Sequence, residues 1–360
     1  LIESYVFSAE LDRSSTLAEE VLSSAPSPDV ELGLRNARSQ VFFLRGDARR
    51  AAAEFQAMVP LVAGQPREAV LLADAAVSAM FAIDLARAKM LADRSLELAA
   101  EHGDTLAPAL ANGVLAWMTA LGGDMRVALE LADRAVRAAN AGPGIEGHRR
   151  IPHLFHSQVL LWADRVDEAR RSLQLGRALS SELAMGWDEP MYQALQADGR
   201  IRAGELDDAL AEADAGLVRA AEVGSYFADA WLHAHRARVH LIRGQLDAAD
   251  QELDQGEASL GGGGGQGLDQ LWMLRGFVLA ARGDSGSALA VLESLWDKLE
   301  ELGTRLRQLE LAPHLARLAL SQRAGELVAK VCRVVMDRDL VVDLPLAEAT
   351  ALWCQALVES

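Results

Sequence analysis

A turn signal followed five residues later by alanine recurs along this chain. It appears as Gly46 with Ala51, Gly123 with Ala128, Gly204 with Ala209, Gly244 with Ala249 and Gly283 with Ala288. Copies without glycine fill the gaps: Ile83 with Ala88, Asp164 with Ala169 and Ala319 with Ala324. The turns then stand at 46, 83, 123, 164, 204, 244, 283 and 319, a period close to 40 residues. A fixed period of this length marks units that cannot bury their apolar faces alone and must stack on their neighbours.

A second column fixes what each unit is. Seven residues before the turns stand Ser39, Ala76, Ala116, Ser157, Ala197, Ala237, Gly276 and Ala312, all of them small. A small side chain there lets two helices approach closely, and the alanine after the turn receives the partner helix. Glycine at the turn suits a helix C-terminus because it accepts positive φ at little cost. Each copy is therefore expected to be a helix-turn-helix hairpin. Composition agrees: 51% of residues are hydrophobic but only 5% aromatic, and helix formers abound. The expected fold is all-α: a solenoid of about eight hairpins in a right-handed superhelix, one array over 1–360. The segment 1–30 reads as a partial leading repeat and 338–360 as a truncated trailing one.

With the small residues at +12 (Ser95, Ala135, Gly176, Gly216, Gly256), the pattern resembles the tetratricopeptide repeat. The period is longer than that family's usual length of about 34, and its Trp-x-x-Leu-Gly start is mostly lost. Units such as RIRAGELDDALAEADAGLVRAAEVGS, rich in Ala, Arg and Leu, are similar to the repeat region of large ATP-dependent LuxR-type (MalT-like) regulators. That resemblance implies an N-terminal NTPase, a helical-repeat sensor and a C-terminal helix-turn-helix in a parent protein. ATP is then expected only in a missing NTPase domain, no cofactor in this segment, and any oligomer through the parent.

Absences narrow the function. No GxxxxGK[ST] phosphate loop occurs, and GGGGGQG at 261–267 lacks the Lys and preceding strand of a phosphate site, so it reads as an inter-repeat loop. The formal net charge of −17 repels a phosphate backbone, so direct nucleic-acid binding is not expected. No membrane span or signal peptide is visible, and the expected location is cytoplasmic. Cys332 and Cys354 are one possible disulfide; without a paired framework, two reduced packed thiols is the favoured reading.

Function in a solenoid lives on the face that stacking leaves open. The apolar pattern of the first helices leaves one stripe at −11, −8, −4 and −1 from each turn. Those positions hold eight Arg (35, 38, 45, 200, 236, 243, 275, 282), four His (153, 156, 233, 240), Gln193, Gln196, Gln308 and Asn112. They hold no acid, where 52 acids in 360 residues would place four or five. One reading is a solvated helix face whose Arg stems shield apolar neighbours. The other is a basic concave groove for an anionic effector or an acidic protein segment, since the Arg fork reads carboxylate and phosphate. On this second reading Arg35, Arg38, His153, His156, Gln193, Gln196, Arg236, His240, Trp272 and Arg275 carry recognition, and Asp250 lies on an acidic outer face. His153-x-x-His156 lacks a third metal ligand, and His233, His235 and His240 lack a nucleophile beside them, so neither a metal site nor an enzyme is expected. The expected function is a sensor region that binds a small effector or regulatory protein; the alternative is a stand-alone protein-interaction scaffold.

Overall fold

A computed structural model describes residues 11–142, 144–260, 265–336 and 344–359. Among them are eighteen α-helices, one 3₁₀ helix and no strand. Helix α1 (Leu11–Leu22) precedes eight hairpins: α2 (Pro28–Leu44) with α3 (Ala48–Val62), α4 (Glu68–Phe81) with α5 (Leu85–His102), α6 (Ala107–Gly122) with α7 (Met125–Ala141), and α8 (Pro152–Trp162) with α9 (Val166–Glu182). Then come α10 (Glu189–Arg202) with α11 (Leu206–Val223), α12 (Asp229–Ile242) with α13 (Leu246–Ser259), α14 (Leu268–Ala281) with α15 (Ser285–Leu302), and α16 (Arg305–Ser321) with α17 (Gly325–Met336). Helix α18 (Pro345–Glu359) follows. Residues 1–10 of the expected leading repeat, the loop at 261–264 and residues 337–343 lie outside the described residues.

Local chemistry explains each hairpin. The turn residue is left-handed in every one, glycine at 46, 123, 204, 244 and 283 but Ile83, Asp164 and Arg323 elsewhere. In the last hairpin the turn is Arg323, not Ala319, which is buried inside α16. With that one-turn correction the last spacing becomes 40 residues, and its −7 and +5 positions are Ala316 and Val328, both buried. In four hairpins the residue after the turn caps the second helix. The carboxylates of Asp47, Asp84, Asp124 and Asp284 accept the backbone N–H three residues on, at 3.0–3.2 Å.

The small columns sit where helices touch. Ala51, Ala88, Ala128, Ala169, Ala209, Ala249 and Ala288 are all buried. Glycine at +12 admits two first helices at once. A Cβ on Gly216 would meet Leu232 at 2.5 Å and Gln193 at 3.3 Å; one on Gly256 would meet Leu271 at 2.7 Å and His233 at 3.1 Å.

The array also winds back onto itself. The N–H of Tyr226, in the loop before α12, donates to the carbonyl of Leu44 at the end of α2 (2.6 Å), and Gln266 Nε2 donates to Met80 O at the end of α4 (3.0 Å). Helix α16 touches α6. Units five apart in sequence are thus neighbours, so the first helices close around an axis. Aromatic rings fill it: Phe43, Phe227, Phe81, Trp231, Trp117 and Trp162 form a chain with successive centroids 4.9–6.0 Å apart.

Candidate functional site

The inner face follows from those ring contacts. Phe43, Phe81, Trp117 and Trp162 occupy positions −3, −2, −6 and −2 of their units, so the columns −9, −6, −3 and −2 look at the axis. In units two to four these columns are buried almost throughout, by Val77, Phe81, Val114, Leu121, Phe155 and Gln158 among others.

Below the aromatic chain lies a polar plug. Asp198 of α10 accepts from Arg202 Nε (3.0 Å) and Arg238 of α12 (3.4 Å), and Arg202 also reaches Asp164 (3.0 Å). Arg307 of α16 pairs with Asp269 (3.1 Å) and Glu310 (2.6 Å), and its guanidinium stands 5.3 Å from the ring centre of Trp162. Burial alone would push the Asp198 carboxyl up; Arg202, His235 and Arg238 outweigh it and hold it well below the usual range. Burial pushes His235, in the same plug, down to about 4. Charges at columns that are otherwise apolar were the sequence clue to this plug, and reading only the −11 stripe passed over them.

In the last three units the inner columns are more open, although His235 and Leu274 at −9 stay buried. These columns carry Arg238, Leu241 and Ile242 on α12, Phe277, Ala280 and Ala281 on α14, and His314, Arg317, Leu320 and Ser321 on α16. Ile242 is 55% exposed and Leu320 44%. His314 packs on Phe277 with ring centroids 4.1 Å apart. None of the twelve −9, −6, −3 and −2 positions in these units is acidic. Arg317 has no carboxylate within ion-pairing distance among the described residues.

Along the −11 stripe, expected as a basic channel, the arginines stand against carboxylates. The stripe faces the second helices, whose acids neutralise most of it, with Glu31 of α2 itself adding to them. Arg35 pairs with Glu31 and Glu54 (2.8 and 3.1 Å), and Arg38 with Glu54 (3.1 Å). Arg236 bridges Asp214 (3.1 Å) and Glu252 (3.0 Å). Arg275 meets Asp250, Asp254 and Glu257 at 2.7–3.3 Å, so Asp250 belongs to the stripe's own ion pairs rather than to a separate outer face. His153 and His156 share Ser172 Oγ (3.0 and 2.9 Å). Gln193 is buried, Gln196 accepts from Arg177, His240 bonds Gln245 (2.7 Å) and Trp272 is exposed at its own position. The apolar columns taken as hairpin packing are apolar for another reason: they fill the superhelix axis.

Two cavities of about 20 and 60 Å³ lie at the α2–α12 seam and between α8, α9 and α10. Each has room for a water or a few. Among the described residues no group of three or more His, Cys, Asp or Glu is arranged to hold a metal ion, and no helix is long and apolar enough to cross a membrane.

The eight hairpins, the left-handed turns and the closure on an axis place the chain among known folds. The fold is a tetratricopeptide-like helical solenoid. It is similar to a Rap protein complexed with competence and sporulation factor, with TM-score 0.66 and 13% identity over 98% of this chain and 97% of that one. It also resembles a human IFIT1 dimer with m7Gppp-AAAA (TM-score 0.51, 12% identity, 97% and 86% coverage). A third similar structure is a signal-transduction ATPase with numerous domains and a tetratricopeptide repeat sensor from Pyrococcus horikoshii (TM-score 0.50, 13% identity). There 91% of this chain matches 49% of that one. No family model and no curated protein matches the sequence. At such identities the likeness is one of fold.

Proposed function

We propose that this chain is a protein-interaction module that docks an acidic, partly apolar segment of a partner on the inner face of its last three hairpins. One observation carries the reading: the inner columns, filled by the chain itself in the middle units, open at −6, −3 and −2 from α12 to α16 and offer Ile242, Phe277 and Leu320 beside Arg317, with Arg238 held by Asp198 at the edge. Apolar side chains there exclude water from the partner, and the Arg317 guanidinium, with no carboxylate partner among the described residues, selects a carboxylate. The solved Rap protein, with a factor bound, supports partner binding by such a solenoid.

The test is selection from a phage-displayed library of random dodecapeptides. Selected peptides should be enriched in Asp and Glu next to Leu, Ile or Phe, and should slow amide exchange in α12, α14 and α16. Selection of basic peptides, or protection confined to the second helices, would overturn the assignment.

A finer reading places this module as the sensing region of a larger ATP-dependent LuxR-type regulator. The repeat texture supports it, as does likeness to a sensor-bearing ATPase of which this chain spans about half. A phosphate loop upstream and a helix-turn-helix downstream in the parent reading frame would support that version; their absence would leave the interaction module alone.

A further inference from the structure

The connection between α7 and α8 differs from the others. It contains a 3₁₀ turn, Glu146–Arg150, laid across the array. Gly147 sits so close to α7 that a Cβ would come within 2.2 Å of Ala139 O. Arg150 pairs with Asp74 of α4 (2.6 Å), two hairpins back, and Arg149 donates to Leu183 O at the end of α9 (3.3 Å). The turn ends on Ile151 at φ 46, ψ 40, directly before Pro152. A β-branched residue in that region is strained, and proline after it narrows its choices further. Something beneath must hold the segment down.

Beneath it two imidazoles stack. His148 of the 3₁₀ turn and His153 of α8 lie with ring centroids 5.4 Å apart and planes 11° from parallel, and both are buried (7% and 4% exposed). Their hydrogen bonds fix the tautomers. His156 Nε2 faces Asp133 (3.3 Å) and so carries its proton there, leaving Nδ1 to accept from Ser172 Oγ (2.9 Å). That hydroxyl has spent its only proton, so His153 Nδ1 must donate to it (3.0 Å). His148 Nε2 donates to Asn140 Oδ1 (3.0 Å). Two bare lone pairs remain, on His153 Nε2 and His148 Nδ1, and neither buried atom has a hydrogen-bond partner among the described residues. Either nitrogen, once protonated, becomes a buried cation with no acceptor, stacked on its neighbour.

We propose that the segment Glu146–Ile151 is an acid-released clasp: protonation of the His148–His153 stack parts the rings and unties α4 and α9 from the strap. The other titratable and charged groups around the stack do not relieve a charge on His153. Asp133 of α7 and Glu168 of α9 act on His156, as does Arg165 of the α8–α9 turn. Arg149, on the turn itself, is held by Glu146. Tyr192 of α10 approaches the His153 backbone side at Gly176, and its hydroxyl is neutral, with burial pushing it far up. Helix α6, also packed on the strap, has no titratable side chain. Burial, then His148 and His156, pushes His153 down to about 4, so the clasp is closed at neutral pH and its strain is stored there.

The sign follows from linkage. A ring that titrates near 6.5 when released and about 4 when clasped takes up its proton on opening. Opening is then favoured as pH falls below 6.5, by roughly twentyfold between pH 7 and pH 5 for one ring. The experiment is amide hydrogen exchange of the full chain at pH 7 and pH 5, corrected for intrinsic rates, in wild type and His153→Gln. Opening of amides in 144–151 should rise roughly twentyfold in wild type and far less in His153→Gln. Arg150→Gln, which leaves both rings in place, should raise opening of the same amides at pH 7. An unchanged strap in wild type, or an equal response in His153→Gln, would overturn the clasp. Should His153→Gln not fold, wild type decides: opening confined to the strap supports the proposal, and opening in step with α14 and α15 ends it.

Discussion

At the scale of single residues, the sequence showed which side chains are charged but not what they face. Arg236 was legible as a basic residue on a regular stripe. Its carboxylate partners were not, because Asp214 and Glu252 reach it from helices on either side, and Glu252 also takes His233 at 2.8 Å. Arg236→Ala therefore leaves a buried carboxylate short of a partner. It should lower stability by roughly 1–3 kcal/mol, read from a urea midpoint. Asp250→Lys should also destabilise, by about 1 kcal/mol, because it sets a third cation against Arg275 and Arg282; an unchanged midpoint would mean these ion pairs do not form. Asp188 makes the pH argument. It is fully buried, its Oδ1 accepts Ser180 Oγ at 2.6 Å, its Oδ2 has no partner, and burial pushes it up to about 6. A carboxyl raised in the fold is penalised when charged, so its cost is absent below about pH 4 and fully present above about 6. Asp188→Asn should raise the thermal midpoint at pH 8 and leave it unchanged at pH 4. The same gain at both pH values would contradict the assigned charge.

At the scale of the helix and hairpin, most of the fold was legible. Small residues at −7, alanine at +5 and glycine at +12 mark real contacts because helix approach distance depends on the side chain at the crossing. The last turn was the exception. Arg323 carries the left-handed bend without glycine, and Ala319 with Ala324 imitates the pattern one helical turn too early. A column of capping residues, Asp47, Asp84, Asp124 and Asp284, offered a stronger register than alanine, since only a turn demands it. Register and strain can both be tested. Ala249→Leu places a branched side chain in a fully buried contact and should cost roughly 1–3 kcal/mol. Ile83→Gly should instead stabilise by roughly 0.5–1 kcal/mol, since it removes a β-branched residue from φ 63. Loss of stability in the second variant would show that the Ile83 side chain holds more than its backbone gives up.

At the scale of the whole molecule, the sequence misled in one respect that matters. Two helical faces were apolar, and both looked like packing between neighbours. One of them packs instead across the axis, where Phe81 meets Phe227 and Trp231, nearly 150 residues away in sequence. Periodicity reports that a face is buried and is silent on what buries it. Once that face is taken as the interior, the open surface moves from the −11 stripe to the inner columns of α12, α14 and α16. The central claim is that partners dock there. The direct measurement is titration of one selected acidic dodecapeptide against Arg317→Glu, on the inner face, and Arg243→Glu, on the stripe where Asp207 holds it at 2.5 Å. Arg317→Glu should weaken binding by at least about tenfold, because it sets like charge against the guest, while Arg243→Glu changes it less than about threefold. Equal losses in the two variants, or a greater loss in Arg243→Glu, would contradict the inner face as the docking site.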